Sequence, residues 1–148
     1  MGMYTEFVFA AELSKHTPLN VLDILKYLTC DQDSKDIENI EIPDHPFFKT
    51  ERWKVMASGA SAYFPGETHS SLLFNIHYYC LTIRSTIKDY DSEFELFLEW
   101  ISPHIITHGF LGYMRCEEFN DPTLIYCDAY GHKIYSKKVD DEEVYIYG

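Results

Sequence analysis

Residues 78–106 read YYCLTIRSTIKDYDSEFELFLEWISPHII, and a change of period inside this stretch decides the fold. The first part alternates as a pleated strand does, with Tyr79, Leu81, Ile83 and Ser85 on one side and Cys80, Thr82 and Arg84 on the other. The second part turns to a helical period, in which Phe94, Phe97, Leu98, Ile101 and Ile105 form one apolar stripe. A strand that feeds an amphipathic helix predicts a sheet with a helix laid over it. Asp91 or Ser92 is placed to cap that helix. With Ser92 as the cap, Glu95 stands where a reciprocal capping box needs it, and Glu93 favours the positive helix terminus. Pro103 marks the helix end.

The pattern extends in both directions. Upstream, Thr5, Phe7, Phe9, Ala11 and Leu13 share a face of a first strand, opposite Glu6, Val8, Ala10 and Glu12. Thr17-Pro18 then reads as a cap followed by proline at the first helical position, opening a helix through LNVLDILKYL. Residues 31–46 are acidic and interrupted by Pro43 and Pro46, which predicts a charged loop. Phe47, Phe48 and Trp53 are expected to anchor it by packing. Residues 52–58 and 60–64 read as two short strands parted at Gly59, with a turn at Pro65-Gly66 and a further strand over 71–77. Downstream of Gly109, GFLGYMRCEEF, PTLIYCDAY, HKIYSKKV and EEVYIY are strand candidates with short connections, the signature of an antiparallel meander. The expected fold is one α+β domain over residues 1–148, with a mixed or mainly antiparallel sheet and two helices packed chiefly on one face.

With 148 residues, 46% of them hydrophobic, the chain can bury a core without disulfides. Cys30, Cys80, Cys116 and Cys127 are too far apart for a zinc knuckle or a redox pair, which favours free thiols and a cytoplasmic setting. The start, MGMYTEFVFAA, lacks the plan of a secretory signal, and no later run has the length needed to cross a bilayer. Twenty-four acidic residues against 12 Lys and Arg give a net charge of −12 and a pI near 4.8. Such a charge opposes binding to nucleic-acid phosphates and attracts basic protein surfaces.

No motif specifies a reaction. His104 and His108 are bracketed by Pro103 and Gly109, and no convergent donor set announces a metal. The carboxylates Asp91, Glu93, Glu95 and Glu99 are explained by helix capping and solvent exposure, and Gly109 with Gly112 does not make a phosphate cradle. No catalytic residue, metal or cofactor is assigned, and an enzyme ranks behind two binding readings.

The first is a noncatalytic protein-binding module. Its acidic residues are Asp31, Asp33, Asp36, Glu38, Glu41 and Asp44 in the loop and Asp140, Asp141, Glu142 and Glu143 before the last strand. They would draw in a basic bacterial protein, and a sheet edge with aromatic side chains would complete the contact. Tyr113, Tyr126, Tyr135, Tyr145 and Tyr147 are the aromatic candidates. The second reading places an anionic metabolite or signalling nucleotide between Arg84, Tyr113 and Arg115, where a guanidinium offers charge and a planar hydrogen-bond fork. Its bland counterpart is local pairing of both arginines with acidic side chains. Exposed strands also allow association between copies of the chain.

The segments YTEFVFAAEL, TPLNVLDILKYL, LTIRSTIKDYDSEFELFLEWISPHI and GFLGYMRCEE together resemble small uncharacterised proteins encoded by bacteria and their phages. The resemblance carries no functional residues. A phage origin would imply an inhibitor whose acidic surface occupies the basic groove of a host defence or nucleic-acid-binding protein.

Overall fold

The computed structural model describes residues 3–119, 121–129, 133–140 and 143–147. Its strands are β1 (Thr5–Ser14), β2 (His69–Phe74), β3 (Tyr78–Ile87), β4 (Gly109–Cys116), β5 (Thr123–Cys127), β6 (Ile134–Lys138) and β7 (Val144–Tyr147). Helix α1 (Leu19–Leu28) follows β1, and α2 (Glu93–Ile101) follows β3. The strands form one sheet in the order β2-β3-β1-β4-β5-β6-β7, every pair antiparallel, so the fold is α+β.

β1 lies inside the sheet, between β3 and β4, and its odd residues from Phe7 to Leu13 are apolar and buried. Phe7 stacks on Phe94 of α2 at 4.6 Å between ring centroids, and Phe97 meets Phe7 and Phe9 edge-on at 6.2 Å. Each such ring contributes roughly 1.5–3 kcal/mol by leaving water. Val21, Leu22, Ile24, Leu25 and Leu28 of α1 join the same buried cluster. Thr17 does not cap α1. Pro18 holds the cap position without a side-chain bond, while the Thr17 hydroxyl donates to the Ser14 carbonyl at 2.6 Å and closes the turn after β1.

The strands expected over 52–58 and 60–64 do not form. Trp53, Met56 and Ala57 are the buried residues there, a spacing of three and four that belongs to a helical turn, and Trp53–Val55 is a 3₁₀ turn. Trp53 packs with Phe47 and Phe48 at 6.0 and 5.0 Å. Residues 60–68 then cross as a loop over the sheet face that carries Glu6, and Phe64 is buried against it.

The capping box at Ser92 does not form either. Ser92 is left-handed at φ 59° and makes no side-chain cap. Asp89 Oδ1 accepts from the Phe94 amide at 3.0 Å instead, and Glu93 accepts from the amides of Asp91 and Arg52 at 3.1 and 3.0 Å. Two carboxylates thus satisfy three backbone donors around the positive helix end, which leaves Glu95 free to turn elsewhere.

Candidate functional site

β7 ends the sheet. It bonds to β6 on one side only, and Val144, Tyr145 and Ile146 are 51%, 65% and 56% exposed. The fourth residue, Tyr147, is buried, with its hydroxyl 3.1 Å from Ser136 Oγ; burial pushes that phenol up to about 12. An edge strand offers unpaired amides and carbonyls to any extended segment that approaches it. Its register with β6 places Ile146 beside Tyr135, and Tyr135 stacks on Tyr126 at 5.4 Å, which meets Phe110 at 5.5 Å. An apolar row therefore crosses four strands and runs out at the edge. Asp140 and Glu143, in the connection before β7, are exposed; Asp141 and Glu142 lie outside the described residues.

On the helix side of β7, a groove of about 560 Å³ separates it from α2, lined by Asp91, Glu95, Leu96, Glu99, Tyr145 and Tyr147. The spacing of four puts the three carboxylates on one flank of the helix and its entry turn. Glu95 was expected in solvent opposite the apolar stripe. It borders that stripe and is half-buried, and it also lines a second cavity of about 570 Å³ beneath the β4–β6 strands, together with Asp89, Met114, Phe119, Lys138 and Asp140. Burial, followed by the hydrogen bond and charge of Glu95, pushes the Asp89 carboxyl from 3.8 up to about 10. At neutral pH the Asp89 carboxyl therefore keeps its proton.

A proton held by the fold and released by the unfolded chain makes stability fall as pH rises. The Asp89 contribution is complete below 3.8 and lost on passing about 10, with a limiting slope of about 1.4 kcal/mol per pH unit. Asp89→Asn keeps the acceptor for the Phe94 amide and supplies a permanent donor to Glu95. It should flatten the decline, leaving the variant more stable than the native chain by at least about 1.4 kcal/mol at pH 9 relative to pH 5 in urea melts.

The three ligand-binding candidates come together on the opposite face of the sheet. Arg84 of β3 and Arg115 of β4 converge on Glu6 of β1, whose side chain is 3% exposed. Arg84 Nη2 bonds to Glu6 Oε2 and donates to the Pro65 carbonyl at 2.7 Å. Arg115 Nη2 lies 2.8 Å from Glu6 Oε1, an ionic contact outside hydrogen-bond geometry, and its guanidinium carbon sits 4.7 Å from the centre of the Phe64 ring. Burial, then Glu6, raises the Tyr113 hydroxyl above its ordinary value. Sequence reasoning placed the arginines but missed Glu6 as their partner; an acidic residue inside an apolar strand was the available signal.

The acidic loop is held rather than loose. Ile40 and Phe47 are buried beneath it, Asn20 Nδ2 donates to the Glu41 carbonyl at 2.6 Å, and Asp33, Asp36, Glu38, Glu41 and Asp44 are exposed while Asp31 is half-buried. Asp44 pairs with Lys49 at 3.0 Å. Among the described residues all four cysteines are free thiols, no cluster of three His, Cys, Asp or Glu side chains can hold a metal ion, and no helix is long and apolar enough to cross a membrane. Comparison with protein-family models, with curated proteins and with solved structures finds no match.

Proposed function

We propose that this domain is a noncatalytic protein-binding module that takes an extended segment of a basic protein onto β7. The observation that carries the reading is an edge strand with three of its four side chains exposed, entered through an acidic connection. The loop over 31–46 and the residues Asp140 and Glu143 supply long-range attraction, which raises the encounter rate and falls with salt. Backbone pairing along β7 then supplies the short-range contact. In its finer form the partner is a bacterial defence or nucleic-acid-binding protein, with the acidic surface filling its basic groove. The Glu6 carboxylate between Arg84 and Arg115 weighs against the alternative of an anionic small ligand, because it already neutralises one of the two charges.

The test is capture of proteins from nuclease-treated bacterial lysate on the immobilised domain at low and moderate salt, with the triple variant Asp33→Lys, Asp36→Lys, Glu38→Lys alongside. These side chains are exposed, so the fold should persist by circular dichroism. A basic protein retained by the native domain at low salt should fall at least about tenfold with the variant, equivalent to ~1.4 kcal/mol. Equal retention of the same proteins by both would sink the electrostatic mechanism.

A further inference from the structure

We infer that the groove between α2 and β7 selects a partner segment in which Lys or Arg alternates with apolar residues. The inference rests on the strand-addition reading and specifies its sequence. A strand added to β7 continues the sheet, so its side chains point alternately to the two faces. On the helix side they enter the groove beside Tyr145 and Tyr147, whose rings meet at 4.9 Å. There they face Asp91, Glu95 and Glu99, and among the described residues no Lys, Arg or His lines the groove. His45 approaches Glu99 at 3.7 Å from outside it.

The occupant follows from this chemistry. Carboxylates with tyrosine faces and no competing cation suit an ammonium or guanidinium group. The long stem of Lys or Arg also suits a groove with Leu96 on its wall. Residues four apart on a helix flank recur about every 6 Å, and same-side residues of a strand about every 6.8 Å. Two successive basic side chains can therefore each meet a carboxylate. On the other face the added strand lies beside Val144 and Ile146, where the row from Phe110 through Tyr126 and Tyr135 ends. Apolar side chains extend that row. An anionic or uniformly polar segment satisfies neither face.

The probe is a fluorescent octapeptide of alternating Lys and Val, titrated by anisotropy into the native domain. It is compared with a block isomer of four Lys then four Val, and with two isomers N-methylated at alternate positions of either parity. The alternating peptide should bind at least about tenfold more tightly than the block isomer. Glu99→Lys, a change at an exposed position, should weaken the alternating peptide about tenfold. One N-methyl isomer, whose blocked amides face β7, should lose binding while the other keeps it. Equal affinity for alternating and block peptides, or no binding of the alternating peptide near 1 mM, overturns the groove inference; edge docking would still stand if one N-methyl isomer alone lost affinity. Two N-methyl isomers that both bind as the parent does would remove strand addition itself.

Discussion

Replacing Glu6 by glutamine is expected to cost the fold about 3–5 kcal/mol, read as a lowered midpoint in urea at unchanged slope. An exposed ion pair would cost about 1 kcal/mol or less. The difference is burial. The Glu6 side chain is 3% exposed and Arg84 16%, so glutamine leaves guanidinium charge in a site with little water to receive it. Arg115, at 34% exposed, can recover part of its hydration. The loss also spreads to the loop over 60–68, since Arg84 ties Glu6 to the Pro65 carbonyl and Phe64 lies on Arg115. Removing the whole cluster is the control. Glu6→Leu with Arg84→Met and Arg115→Met leaves no buried charge, and this triple variant should be markedly more stable than Glu6→Gln alone. A loss below about 1 kcal/mol for Glu6→Gln would show that water reaches the cluster and screens it.

Glu6 also marks the boundary of what the sequence discloses. Its strand was legible from Phe7, Phe9, Ala11 and Leu13, and so was its place on the opposite face, because a period of two is written locally. Its partner Arg84 stands 78 residues away. Only the register of β1 against β3 and β4, which sets Val8 beside both Arg84 and Tyr113, brings the cluster together. The α2 stripe was legible for the same local reason, whereas its cap was not: Ser92 and Glu95 fit a capping box until Asp89 and Glu93 take the amides first. The segment 52–58 misled because Trp53, Val55 and Ala57 alternate as a strand would. Burial of Met56 with Trp53 and Ala57, set by the aromatic cluster of Phe47 and Phe48, turns it into a helical turn. At the β7 edge, the acidic approach and the tyrosines could be read from the chain. The groove could not, because it joins residues near 95 with residues near 145.

The second large loss is expected at Gly112. Phe110 of β4 pairs with Tyr126 and Gly112 with Ile125, so one extra residue, Leu111, bulges between them and buries its side chain. Gly112 takes φ 151°, and a Cβ there would stand 1.9 Å from the Val8 carbonyl oxygen and 2.9 Å from Phe9 Cα. These are backbone atoms of β1, so no side-chain rotation relieves the clash; either the β1–β4 ladder opens or the bulge shifts. Gly112→Ala should therefore cost about 2–5 kcal/mol, from strain and overpacking together. The site of failure matters as much as its size. β4 is the strand through which β5, β6 and β7 join β1. A register slip there would also carry Tyr113 and Arg115 to the wrong face. Hydrogen exchange on Gly112→Ala should show lost protection across β4–β7 before β2, β3 and α1 lose theirs, and with it the order of the groove between α2 and β7. A variant that keeps native stability would mean that the β1–β4 ladder yields without penalty.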